Sequence, residues 1–138
     1  MKKIKGIPKI VIYIAVGAGV LFTVFYVITS LEIGKSVKEQ CRLAQVKYSA
    51  ELSANKPDCA QVLTMTLEDK NSSYRQRNMA VWALGQLGDK QALPFLEKYY
   101  TGVIPDREPY DQGISQYELK KAIKLLRNGF NATAFLWR

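Results

Sequence analysis

The chain has 138 residues, a formal net charge of +8 and no histidine. That length holds one domain at most, and the missing histidine removes the commonest general base, the commonest transition-metal ligand and the usual partner of a Ser or Cys nucleophile. Two cysteines without histidine do not make a zinc site of normal composition, so the expectation is no enzyme, no cofactor and no metal.

Residues 1–9 form a basic flank carrying Lys2, Lys3, Lys5 and Lys9. From Ile10 to Leu31 follow twenty-two residues without a charge, IVIYIAVGAGVLFTVFYVITSL. As a helix this run spans about 33 Å, close to the hydrocarbon thickness of a bilayer. It has no polar face: Thr23, Thr29 and Ser30 are scattered, and their hydroxyls can bond back to their own helix. Tyr13 and Tyr26 lie towards its ends, where amphipathic rings prefer the interface. The run therefore reads as a transmembrane helix over 10–31. The lysine flank places the N-terminus in the cytoplasm and the rest of the chain outside it, on the periplasmic face of an inner membrane if the protein is bacterial. The alternative is a cleaved signal peptide, but the run is too long for one, and Thr29-Ser30-Leu31-Glu32 offers no small-x-small cleavage site. Ala15 and Gly19 make one small-xxx-small pair that would let two such helices pack; a lipid-facing monomer is the simpler reading.

Beyond Gly34 the apolar spacing is helical throughout, with helices expected over 35–51, 57–69, 73–87, 90–100 and 116–128. Residues 33–138 carry sixteen Lys and Arg against eleven Asp and Glu, which is basic but short of a dedicated nucleic-acid binder, so no nucleic acid is expected as partner. Val37, Cys41, Ala44 and Tyr48 make a single stripe on the first of these helices, which should end between Tyr48 and Ser53. Asn55-Lys56-Pro57-Asp58 reads as a turn that starts the second with Pro57 in its first turn. Cys59, Val62, Leu63 and Thr66 are its inner face, and Ser72 or Ser73 is placed to cap the third.

The third helix carries two interleaved apolar faces. Met79, Ala80, Ala83, Leu84 and Leu87 make one, and Val81, Trp82 and Gly85 the other. A surface helix needs one such face, so two mean a helix sandwiched between neighbours, with Ala and Gly allowing close approach. Gly88 should end it and Asp89 cap the next. Ala92, Leu93, Leu96, Tyr99 and Tyr100 stripe the fourth helix, whose first turn Pro94 makes irregular. Ser115-x-x-Glu118 reads as a capping box for the last helix, with Leu119, Ala122, Ile123 and Leu126 buried and Gly129 as the residue after its end. Phe130, Phe135 and Trp137 should fold back over the stack; the alternative is a docking peptide for a partner.

Arg77-x-x-Ala80-Val81-x-Ala83-Leu84-Gly85-x-Leu87-Gly88-Asp89-x-x-Ala92-Leu93-Pro94-x-Leu96 resembles one HEAT repeat of the short phycobilisome-lyase type, densely over about residues 72–102. Helices over 35–69 look like a weaker copy and residues 115–128 like a half-repeat. The resemblance implies an all-α fold: a transmembrane helix followed by a short HEAT-like α-α superhelix of about two and a half repeats over 35–138, with weakened end copies acting as caps. It also implies that Arg77 pairs with Asp69 or Glu68 in a structural role, alongside Trp82 and Gly85.

Cys41 and Cys59 would lie in an oxidising compartment, so a disulfide is an open reading. A hairpin turning near residues 50–56 would instead offset them by about 8–15 Å along the helices, favouring two buried thiols. Residues 101–113 have no helical period and concentrate Asp106, Arg107, Glu108, Tyr110 and Asp111, a candidate interaction surface; a weak calcium site there is a lesser alternative, and catalysis a remote one. Lys120, Lys124 and Arg127 form a basic stripe on the last helix, with Lys121 beside them. That stripe reads as a solvated face or as a contact for anionic lipid or an acidic partner. Asn71-Ser72-Ser73 and Asn131-Ala132-Thr133 match glycosylation sequons, which matter only in a eukaryotic secretory route. Together these features point to a membrane-anchored scaffold for a protein partner. The alternatives are a lyase-like accessory protein binding a small ligand and a peripheral binder of anionic lipid.

Overall fold

The computed structural model describes residues 9–51 and 58–137. Among these residues there are five α-helices and no strand: α1 (Lys9–Lys47), α2 (Cys59–Glu68), α3 (Tyr74–Leu87), α4 (Leu93–Tyr99) and α5 (Gln116–Arg127). A 3-10 turn, Lys90–Ala92, leads into α4, and another, Ala132–Leu136, forms the tail. The expected turn at Asn55-Lys56-Pro57 and the lysines before Lys9 lie outside the described residues.

The expected helices over 10–31 and 35–51 are one continuous helix, α1, of 39 residues. Gly34 lies in the expected gap between them. One glycine costs a helix only about 1 kcal/mol relative to Ala, and here its missing side chain has a use. A Cβ on Gly34 would lie 2.7 Å from Cβ and Cγ of Trp137. α1 contains a stretch long and apolar enough to cross a membrane. Its side chains from Ile10 to Phe25 are exposed on every face. From Ser30 onward a stripe is buried: Ser30, Gly34, Val37, Ala44 and Tyr48, with Cys41 partly covered. The stripe expected at Val37, Cys41, Ala44 and Tyr48 is thus present and starts earlier than anticipated.

α3 packs against α2 and α5 and also touches α1, as its two apolar faces require. Ala80, Val81, Ala83 and Leu84 are buried there. A Cβ on Gly85 would lie 2.8 Å from Cα of Ala122, so this glycine sets how closely α3 and α5 approach. Ser73 accepts from the Gln76 amide and the Gln76 side chain accepts from Ser73 N, a complete capping box at the start of α3. Gly88 ends α3 with φ of 69°, in the left-handed region that suits glycine. Asp89 then caps the 3-10 turn through Gln91 N at 2.9 Å, and Pro94 sits in the first turn of α4.

Three local expectations change. The capping box of α5 is half formed: Ser115 Oγ accepts from Glu118 N at 3.1 Å. The Glu118 carboxylate turns instead to Lys121 at 3.2 Å, because the Ser115 amide is already taken by Asn78 Oδ1 at 2.8 Å. Gly129 is not left-handed, the described positive-φ glycines being Gly88 and Gly102. It is needed for clearance, since a Cβ there would meet Leu125 Cα at 2.6 Å. Of the three tail aromatics only Trp137 packs on the core; Phe130 and Phe135 stay 88% and 86% exposed.

Cys41 and Cys59 form a disulfide with their Cα atoms 5.3 Å apart, within the usual range. The reading of two free thiols is therefore corrected. α1 stops at Lys47 and α2 starts at Cys59 itself. The connection 48–58 is long enough to bring Cys59 level with Cys41 instead of pinning it one turn from a tight bend.

Candidate interaction surface

The loop between α4 and α5 is built around groups that the sequence did not single out. Asn78, fully buried in α3, donates to the carbonyls of Tyr110 at 3.0 Å and Gly113 at 2.8 Å. With its bond from the Ser115 amide, one side chain fixes the loop's return to the core. Gln116 holds the other end: its Oε1 accepts from Thr101 N at 2.8 Å and its Nε2 donates to the Tyr99 carbonyl at 3.1 Å. The detectable signal for Asn78 was a short amide among the apolar faces of a helix, where an unpaired polar group is costly.

The candidate residues of this loop divide. Glu108 accepts from Ser115 Oγ at 2.6 Å, Gln116 N at 2.7 Å and Tyr117 N at 3.1 Å. Its carboxylate thus satisfies orphan amides at the N-terminus of α5. Partial burial pushes its pKa up, but these bonds outweigh burial and hold it below the ordinary value. Glu108 is structural. Asp106, Arg107, Tyr110 and Asp111 are exposed on the loop. The basic stripe divides as well: Arg127 is paired with Glu97 of α4 at 2.6 Å, whereas Lys120 and Lys124 are exposed along α5.

The expected pairing of Arg77 with Asp69 or Glu68 does not occur. Arg77 is buried and its Nε donates to the Leu67 carbonyl at 2.7 Å, one of the unpaired carbonyls at the end of α2. Its guanidinium stands 5.7 Å from the Tyr74 ring centre and 5.5 Å from that of Tyr99. Both acids are engaged by other cations. Glu68 meets Lys98 at 2.8 Å. Asp69 meets Lys47 of α1 at 2.6 Å, and also accepts from Tyr48 OH at 3.1 Å and Asn71 N at 2.8 Å. The Lys47 bond, helped by the Asn71 amide, holds the Asp69 carboxyl well below the usual carboxylate range. Trp82 packs partly buried against the core, beside the Gly85 contact.

A groove of about 370 Å³ runs between α2 and the 3-10 turn and first turn of α4. Asp58, Gln61, Met65, Glu68, Gln91 and Phe95 line it. Its floor combines aliphatic and aromatic carbon with amide and carboxylate rims, the mixture found at protein-binding surfaces. Gln61, Met65, Gln91 and Phe95 did not stand out in the sequence, because they lie on different elements and only packing brings them together.

The described residues form an all-helical fold, with a groove between α2 and the segment that leads into α4. Residues 76–101 match the family model described as PBS lyase HEAT-like repeat. That match covers most of α3, the 3-10 turn and α4, a single helix pair. No match is found among curated proteins or among solved structures.

Proposed function

We propose that the protein is a membrane-anchored scaffold, without catalytic activity of its own, that presents a short HEAT-like stack to a protein partner. α1 crosses the bilayer through residues 10–31 with the N-terminus in the cytoplasm and the stack outside it. The observation that carries the reading is the groove between α2 and α4. In helical-repeat proteins ligands lie along the surface formed by successive repeats, and this groove lies between α2 and the helix pair that resembles a HEAT repeat. The uncovered apolar length of α1 supports the anchor. The Cys41–Cys59 disulfide supports the orientation, since such bonds persist in oxidising compartments. The basic face of α5 is a weaker candidate for lipid, because Arg127 and Lys121 already have carboxylate partners.

Photocrosslinking in intact membranes tests this. A photoreactive residue at Gln61 or Phe95 should capture one defined protein, and the same probe at Tyr117 on α5 should not. Equal capture from both faces, or none from the groove, overturns the groove as the partner site. Digestion of the stack in sealed vesicles from the cytoplasmic face alone overturns the orientation.

A further inference from the structure

The tail lies along α1 at heights where α1 is still apolar. Tyr26 OH donates to the Ala132 carbonyl, and Trp137 rests on Gly34. Between them Ser30 is fully buried. Tyr26 and Gly34 are eight positions apart, about 12 Å along an α-helix. The five residues of Ala132–Leu136 rise about 10 Å as a 3-10 turn. The two segments therefore run side by side, Ala132 at the level of Tyr26 and Trp137 at the level of Gly34. The apolar run ends at Leu31, so Ala132 sits about 7 Å inside it. Phe130, two residues before Ala132, and Phe135, two residues before Trp137, are the most exposed aromatics among the described residues beyond α1.

We propose that Phe130 and Phe135 are a second membrane contact, inserted into the outer interface of the same bilayer that α1 crosses. This rests on the reading of α1 as a transmembrane helix. The local chemistry suits lipid. The Ala132 carbonyl is satisfied by Tyr26, and Asn131 donates to Gln86 Oε1 at 2.7 Å. Asn131 Oδ1 accepts from Thr133 Oγ1 at 2.8 Å. The tail's Ala132 carbonyl and its Asn131 and Thr133 side chains are thus closed on the protein, as an apolar medium requires, while Phe130 and Phe135 are exposed. Lys35 and Lys38 lie one and two turns past Leu31, beside Leu136 and Trp137, at the height of the headgroups. Anchor and tail would hold the stack at a fixed tilt to the membrane instead of letting it pivot on α1.

The test uses the full oxidised chain reconstituted in phosphatidylcholine–phosphatidylglycerol vesicles. Its native cysteines are paired, so a single introduced thiol takes an environment-sensitive fluorophore at Phe130→Cys, Phe135→Cys, Phe22→Cys or Tyr117→Cys. The expected result is blue-shifted emission at 130 and 135, quenched by nitroxide lipids labelled near the headgroup more than by those labelled near the bilayer centre. The Phe22→Cys probe should be quenched by the deep label, and the Tyr117→Cys probe by aqueous iodide alone. Quenching at 22 with water-like emission at 130 and 135 overturns the tail contact and spares the anchor. So does blue-shifted emission at 130 and 135 that no lipid nitroxide quenches, which means a protein covers the rings. Loss of deep quenching at 22 overturns the anchor and the tail contact together. Helix content and melting matching the unlabelled chain show that a water-like probe reports a docked tail; the two exposed positions check each other.

Discussion

The two parts of α1 are one helix under two sets of rules. From Ile10 to Phe25 every side chain is exposed, and nothing distinguishes one face from another. From Tyr26 to Lys47 the helix has an inside and an outside, with Ser30, Gly34, Val37 and Ala44 turned to the stack and Leu43 and Val46 turned away. The backbone passes from one regime to the other without a break. The difference teaches that a change of surroundings need not coincide with the end of a helix. Tertiary contact begins at Tyr26, five residues before the charge-free run stops at Leu31.

The largest effect that can test this contrast is on the covalent tie. Cys41 joins the inward-facing part of α1 to α2, and its bridge closes a separation of 18 residues. Replacing both cysteines, Cys41→Ser with Cys59→Ser, should lower stability by about 3 kcal/mol for a loop of this length, read by denaturant unfolding in detergent. Reduction of the wild-type bond should reproduce the loss. Next is a matched pair of truncations. Val37→Ala removes methyl groups from a fully buried site and should cost about 2 kcal/mol. Val20→Ala, in the exposed part, should stay within about 0.5 kcal/mol in detergent. Equal costs would erase the distinction between the two parts.

Much of the contrast was legible in residue order. The run from Ile10 to Leu31 stood out because absence of charge is a one-dimensional property, and the stripe Val37–Cys41–Ala44–Tyr48 because helical spacing is too. The repeat around Gly85 and Gly88 was legible because close approach and a left-handed end each demand a small residue. What stayed hidden depends on meeting in space. Asn78 organises a loop more than thirty residues away. Arg77 serves a backbone carbonyl, which carries no sequence signature. Glu108 looked like part of an exposed acidic surface until its three donors at the start of α5 were in view. The disulfide is hidden in the sequence because the level of Cys41 against Cys59 depends on where α1 ends, and helix ends are set by context.

A subtler probe acts where the two regimes meet. Gly34→Ala replaces a poor helix former inside a continuous helix, a gain of about 1 kcal/mol. The new methyl would sit 2.7 Å from Trp137 Cβ and Cγ, and such overpacking costs about 1–3 kcal/mol. The balance runs from no change to a loss of about 2 kcal/mol in global stability. The tail should leave α1 in either case, seen as red-shifted Trp137 emission in a Trp82→Phe background. Unchanged emission would show that the tail is not held by this contact.

The smallest effect expected is electrostatic, and it too should act on one part of α1. The uncharged run has no acid or base to protonate near pH 4. The inward-facing part ends at Lys47, which is followed by Tyr48, and both are bonded to Asp69. Because the Asp69 carboxyl is held below its ordinary value in the folded state, it stabilises the fold above the usual carboxylate range near pH 4. That contribution is lost as pH falls through the range towards the lowered value. Glu108 shifts in the same direction and adds to the trend. Melting temperature should therefore fall on acidification below about pH 5, and Asp69→Asn should flatten that dependence while lowering stability modestly at neutral pH. An Asp69→Asn chain with the same acid slope as wild type would locate the sensitivity elsewhere, at Glu108 first, where Glu108→Gln gives the matching measurement.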